Sequence, residues 1–171
     1  MTLSLFISRQ FEMNKVKDLK LEELKIGDLV QVVKDDYIIQ KGTICKVIGL
    51  SAMDLSAFGG HKPVVSLLTI DTENIRSMSC ENIKGIPLTK DILLKNGWKL
   101  LKHHERNSYD DVSLSSYHKP AETNISLVFY PEAEAFFLFL YAQEISETPI
   151  RYIHQLQHIL FCLGLNLEMD V

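Results

Sequence analysis

Turn residues between Gly27 and Pro87 divide the sequence into short apolar segments, and this division limits what the chain can fold into. The segments are rich in β-branched residues, which strands favour, and they lie at 29–33, 42–50, 64–70 and 75–88. The last of them is long enough for two strands. Five short strands within roughly 60 residues, joined by glycine-rich turns, predict an SH3-like small β-barrel.

Two pairs of turn residues lie between these segments. Asp35-Asp36 follows the first segment, and Gly59-Gly60 helps to close a predicted loop over 51–62. Neither pair belongs to a phosphate-binding motif, because no glycine-rich loop of the known spacings surrounds them.

A short predicted helix separates this region from a different second half. Thr89 is a suitable N-cap residue, Asp91 complements the helix dipole in the first turn, and Asn96-Gly97 ends the helix. Further along, Pro149 predicts the first turn of a last helix over 150–163.

The strands predicted between the two helices include a strongly apolar one. Segment 124–130 alternates apolar and polar residues, which is typical of a strand with one buried face. Segment 136–141 is too hydrophobic for an exposed edge, so we expect it to be central or to lie at an oligomer interface.

The predicted class is therefore α+β. An N-terminal extension occupies 1–20, the SH3-like small barrel 21–88, and the remainder, 89–171, is predicted to be an antiparallel sheet covered by a C-terminal helix. Residues 1–12 are interpreted as an optional extension, because Met13 opens a more natural start.

The composition restricts the classes of function. The formal net charge is −4 and no run of Lys or Arg exceeds two residues, which disfavours sequence-independent nucleic-acid binding through phosphates. Three widely spaced cysteines indicate free thiols rather than a disulfide framework. The N-terminal stretch lacks the features of a signal peptide, so a cytoplasmic location is expected.

The predicted last helix, "RYIHQLQHILFCLG", carries two histidines four residues apart. On a helical wheel they lie on the polar side together with Cys162, a spacing that allows a metal site. A zinc protease needs a glutamate where Gln155 stands, so no metal and no other cofactor is predicted. We interpret this side instead as an interaction surface formed by Arg151, His154, Gln155 and His158.

Two other sets of residues keep alternative functions open. The first could serve a metal-dependent hydrolase, although a solvated loop is favoured because its spacing matches no metal motif: His103, His104, Glu105, Asp110, Asp111 and His118. The second would let the barrel bind nucleic acid, which the net charge disfavours: Lys34, Lys41, Lys46 and Lys62.

Three phrases are distinctive: "LKIGDLVQV", "IPLTKDILLKNGW" and "YIHQLQHILFCLGLNLE". They resemble a family of small uncharacterised proteins from Bacteroidetes genomes, prophages and phages, whose C-terminal helix has the pattern YxHQLQxxxF. The resemblance covers most of the chain from Met13 onward. The family phrase has Asn at the position of His158 and Ala at that of Cys162, which speaks against a shared metal site. The resemblance implies a phage or mobile-element context and no catalytic activity.

These features predict a non-enzymatic protein-interaction or accessory factor of a phage or mobile genetic element. Its partner is expected to be another protein, with no membrane involved. Self-association through the apolar strand 136–141 is an open alternative.

Overall fold

The structure, a computed structural model, describes residues 19–55, 60–104, 114–119, 122–146, 148–165 and 168–171. For 52–55, 60–62, 102–104 and 122–123 it describes the backbone alone. The chain divides between Gly85 and Ile86 into two compact units, and each contains one antiparallel five-stranded sheet. The predicted α+β class is confirmed.

The first unit is a meander of strands with a returning fifth strand. Its strands are β1 (Leu29–Val32), β2 (Ile44–Leu55), β3 (Gly60–Thr69), β4 (Ile75–Ser79) and β5 (Ile83–Gly85), and one turn of 3-10 helix, Cys80–Asn82, precedes β5. They pair in the order β4-β3-β2-β1-β5. Among the described residues β4 and β5 end the sheet without pairing to each other, so a closed barrel is not found.

The prediction of a loop over 51–62 is wrong. Strand β2 continues to Leu55 and β3 begins at Gly60, with Leu55 and Gly60 as the last paired residues. The backbone ladder extends into a segment whose sequence resembles a loop, because strand pairing needs main-chain groups and not apolar side chains.

Strand β2 contains a bulge, which explains why apolar residues do not alternate regularly along its sequence. The register against β3 shifts between Val47 and Gly49. Cys45 and Val47 before the bulge point into the core and are fully buried. A Cβ at position 49 would lie 3.3 Å from the Cβ of Ser66, which favours glycine where the strands approach closely.

The second unit begins with helix α1 (Lys90–Lys95) and ends with helix α2 (Ile153–Cys162). Five strands lie between them and pair in the order β10-β9-β8-β7-β6: β6 (Lys99–His104), β7 (Leu114–Lys119), β8 (Glu122–Tyr130), β9 (Ala135–Leu140) and β10 (Gln143–Glu144). Helix α1 is capped as predicted, because the Thr89 hydroxyl accepts a 3.2 Å hydrogen bond from the Ile92 N–H.

Strand β9 has neighbours on both sides, so within its sheet it is not an edge. The Leu138 N–H donates to the buried Ser146 hydroxyl at 2.9 Å, and the Leu138 carbonyl accepts from the Ile145 N–H. Phe136 exchanges two backbone hydrogen bonds with Ile150. Self-association through 136–141 stays a prediction.

Helix α2 begins later than predicted. Ile150 pairs with Phe136 and Tyr152 forms a bridge with Pro87, so the chain is extended until Ile153. The backbone hydrogen bond from Ile153 N–H to the Ile86 carbonyl also explains why 86–88, which were predicted to close the barrel, belong to the second unit.

Replacing Ser146 by alanine should destabilise the second unit by about 1–3 kcal/mol, because it leaves the Leu138 N–H buried without its acceptor. Thr148→Ala removes an exposed hydroxyl from the same connection and should change stability by less than ~0.5 kcal/mol. Equilibrium denaturation compares the two. Equal effects would contradict the assigned role of Ser146.

A glycine in the turn between β9 and β10 should stabilise the protein. Tyr141 and Ala142 have φ of 51° and 65°, which glycine and asparagine tolerate far better. Ala142→Gly should therefore raise the free energy of unfolding by about 0.5–1 kcal/mol. Ala133→Gly, in the 3-10 turn Pro131–Ala133, should lower it. A destabilising Ala142→Gly substitution in thermal denaturation would refute the turn geometry.

Candidate functional site

The connection between β1 and β2, residues 33–43, is held at its base by backbone pairing. The Gly42 N–H donates to the Val32 carbonyl at 2.8 Å, and the Val32 N–H donates to the Thr43 carbonyl at 3.0 Å. Gly42 has a φ of +94°, a conformation that side-chain-bearing residues rarely adopt. Ile39 anchors the connection from inside, because its side chain is fully buried in the core.

The two adjacent aspartates fix the rest of this connection. The Asp35 carboxylate accepts a hydrogen bond from the Lys41 N–H at 2.6 Å. The Asp36 carboxylate accepts from the Tyr37 N–H at 2.7 Å and from Arg76 Nε at 3.1 Å. The prediction that Asp35-Asp36 are turn residues is confirmed, and the structure adds Arg76 of β4 as a long-range support.

The tip of this connection presents two apolar side chains to solvent. Tyr37 is fully exposed and Ile38 is 51% exposed, although the buried Ile39 follows directly. Both side chains are therefore accessible to another molecule. We call Tyr37 and Ile38 the tip pair.

A cleft of about 400 Å³ lies beside the return of the same connection, and we call it the lysine cleft. It is lined by Gln31, Val32, Val33, Lys41, Gly42 and Lys84. Gln31 and Lys84 are paired residues of β1 and β5, and the Gln31 side-chain amide donates to the Gly42 carbonyl at 3.0 Å. The cleft thus combines strand residues with the loop return.

The Asp36 carboxyl group has a pKa below its usual range. The hydrogen bond from the Tyr37 N–H is the main cause, and the Arg76 guanidinium lowers the pKa further, whereas partial burial acts in the opposite direction. The carboxylate is therefore the stable form at neutral pH, which keeps both of its hydrogen bonds.

The residues of the predicted interaction surface on α2 differ in how far they are buried. His154 is only 2% exposed and stacks on the Tyr152 ring at 5.7 Å, so the prediction that it lies on an exposed side is wrong. The physical reason is that the buried side of α2 is wider than the apolar stripe and includes Gln157 as well. The side-chain oxygen of Gln155, Oε1, accepts hydrogen bonds from the backbone N–H groups of Tyr152 and Arg151, so it caps the helix.

The other two members of that surface are partly buried. Arg151 donates from Nη2 to the Ala133 carbonyl at 3.2 Å, and the His158 ring meets the His154 ring edge-on at 5.8 Å. An interaction surface at Arg151, His154, Gln155 and His158 has no further support from this geometry and stays a prediction.

The cysteines differ in their surroundings. Cys45 is fully buried, and burial raises the pKa of its thiol to about 11. Burial also raises the pKa of the Cys80 thiol, whereas Cys162 is exposed. Within the described part of the chain, no three His, Cys, Asp or Glu side chains gather as metal ligands.

The predicted cluster at 103–118 falls mostly outside the described residues, which include neither Glu105 nor Asp110 and Asp111. The described backbone pairs His103 with Ser115, and His118 with Lys99 at the other end of the β6–β7 ladder. Four residues along a strand span about 13 Å, so the structure does not bring His118 to His103. The His118 ring instead contacts the Lys99 carbonyl at 3.1 Å.

The lysines proposed for nucleic-acid binding are dispersed over the first unit. Lys34, Lys41 and Lys46 are exposed, and the side chain of Lys62 lies outside the described residues. Sequence reasoning missed Lys84, which shares the lysine cleft with Lys41. No local signal identifies it, because Lys84 reaches the cleft only through the pairing of β5 with β1.

Comparisons with protein-family models, curated proteins and solved structures find no match for this chain. Across the residues that the structure describes, no helix has the length and apolar character needed to span a membrane.

The low pKa of Asp36 gives the first unit a stability component that depends on pH. Because the folded pKa lies below the unfolded value of 3.8, this component is present above pH 3.8 and is lost as the pH falls through the folded pKa. In an NMR titration the Asp36 carboxyl and the Tyr37 amide should share a midpoint below 3.8.

Asp36→Asn should remove that component, so the variant should lose stability relative to the native chain at neutral pH and converge with it in acid. Asp71→Asn, at an exposed position of the same unit, is the control and should lack this pattern. A shared midpoint above 3.8 would mean that the hydrogen bonds do not hold in solution.

Proposed function

We propose that this chain is a non-enzymatic protein-interaction factor that acts in the cytoplasm as an accessory of a phage or another mobile genetic element. Its first unit would be an SH3-like small barrel, and the tip pair, Tyr37 and Ile38, would contact the partner protein. The phage context rests on the resemblance of three phrases in the sequence.

The order of the strands and the path of the chain support an SH3-like barrel for the first unit. A five-stranded meander in which the fifth strand returns to pair with the first, after one 3-10 turn, is the path of an SH3-like barrel. The long first connection, residues 33–43, then takes the place of a binding loop at the barrel mouth.

The full exposure of Tyr37 on a fixed loop is the single observation that carries the interaction proposal. Tyrosine is enriched among the residues that contribute most to protein interfaces, because it buries a large area at little entropic cost. Asp35, Asp36 and Gly42 restrict the loop before any partner arrives, which reduces the cost of ordering it on binding.

Nucleic acid is the second candidate partner, favoured by an exposed tyrosine, Tyr37, on the same connection that supplies Lys41 to the lysine cleft. The first unit, residues 1–85, contains eleven Lys and Arg and eleven Asp and Glu, so it has no excess of positive charge with which to attract phosphates. A protein partner is therefore the stronger proposal.

Site-specific crosslinking distinguishes these candidates. Tyr37 is replaced by the photoreactive p-benzoyl-phenylalanine, and the full chain is irradiated in nuclease-treated lysate of the cells that encode it. Tyr141, which is 70% exposed in the second unit, receives the same replacement as the matched control.

The proposal expects a discrete protein adduct at Tyr37 that is absent at Tyr141. Once that protein is purified, Tyr37→Ala should weaken its binding at least about tenfold, and Tyr141→Ala should leave it unchanged. Adducts that form only in a parallel lysate without nuclease would favour nucleic acid. Equal adducts at both positions, or none, would contradict the proposal.

A further inference from the structure

The lysine cleft carries two positive charges on the outer face of the first sheet. Val30 and Val32 of β1 point into the core, and Gln31 between them points outward beside Lys84 of β5. Lys41 reaches the same cleft from the loop return. Both ammonium groups therefore border one concave surface.

Among the described residues no carboxylate lines this cleft, although two lie close by in sequence. The Asp35 carboxylate accepts from the Lys41 backbone N–H, and the Asp36 carboxylate is directed to Tyr37 and Arg76. The acidic groups of the loop thus bind its backbone and the distant arginine, and the cleft has a local positive charge in a unit whose acidic and basic residues are equal in number.

The remaining lining residues make the cleft suited to a peptide. Val33 provides an apolar part, and the Gln31 amide is oriented by its 3.0 Å hydrogen bond to the Gly42 carbonyl. An apolar strip between two cations matches a segment that alternates acidic and apolar side chains.

We propose that the lysine cleft binds an acidic linear segment of a partner protein. Carboxylates of Asp or Glu contact Lys41 and Lys84, and an apolar side chain between them packs on Val33. The inference rests on the proposed function and names the chemistry of the partner. A nucleic-acid strand is the poorer occupant, because two lysines neutralise only about two phosphates and the unit as a whole has no excess of positive charge.

The test uses the full chain and a fluorescein-labelled peptide of sequence DELDELD, with the amide analogue NQLNQLN as the neutral control. Fluorescence anisotropy should show binding of the acidic peptide alone, weakening as salt rises from about 50 to 300 mM. In an NMR titration the Gln31 side-chain amide should shift, because it lies in the cleft.

Lys41→Ala combined with Lys84→Ala should weaken this binding about three- to thirtyfold, as expected for two exposed ion pairs. Lys25→Ala together with Lys20→Ala removes the same charge from exposed positions outside the cleft and should have little effect. The double arginine variant at 41 and 84 keeps the charge and should keep binding, which separates charge loss from damage to the fold.

Four results would overturn the inference. Equal binding of DELDELD and NQLNQLN, or equal loss in both double alanine variants, would remove the role of the cleft. Tighter binding of a twelve-nucleotide thymidine strand that depends on Lys41 and Lys84 would assign the cleft to nucleic acid. If DELDELD does not bind but the protein adduct at Tyr37 persists, this inference fails and the proposed function survives.

Discussion

The four residues of β1 hold the first unit together. Leu29–Val32 lies between β2 and β5, so the strand joins the meander to its returning end. Val30 and Val32 are buried in the core, while Gln31 faces outward and donates to the Gly42 carbonyl. Because one strand supplies both the core contacts and the inner part of the lysine cleft, the cleft depends on the same pairing that forms the sheet.

The second unit depends in a similar way on the backbone partners of one strand, β9. This strand is apolar on both faces and would expose main-chain groups if its outer side lacked partners. The segment between β10 and α2 provides them through Ile145, Ser146 and Ile150. The same segment then brings Tyr152 into a bridge with Pro87, and α2 follows directly. The pairing of β9 and the position of α2 therefore depend on one segment.

Local chemistry made several elements predictable. The Thr89 cap, the alternation in β8 and the β-branched segments of β1 and β3 all have periods or end signals that neighbouring residues determine. The prediction for 51–62 was wrong because main-chain pairing continues the β2–β3 ladder to Leu55 and Gly60 without an apolar pattern. The start of α2 was placed too early because Ile150 pairs with Phe136, which is distant in sequence. His154 was misplaced because a polar side chain can be buried when an aromatic neighbour, Tyr152, stacks on it.

The sequence by itself determined the α+β class of the fold and the place of Asp35-Asp36 in a connection between strands, since these follow from local composition and periodicity. Only the tertiary structure decided that Tyr37 is exposed while Ile39 is buried, and that Lys41 and Lys84 share one cleft. These two lysines are far apart in the chain, and their proximity arises because β5 pairs with β1, a long-range register that no local pattern encodes.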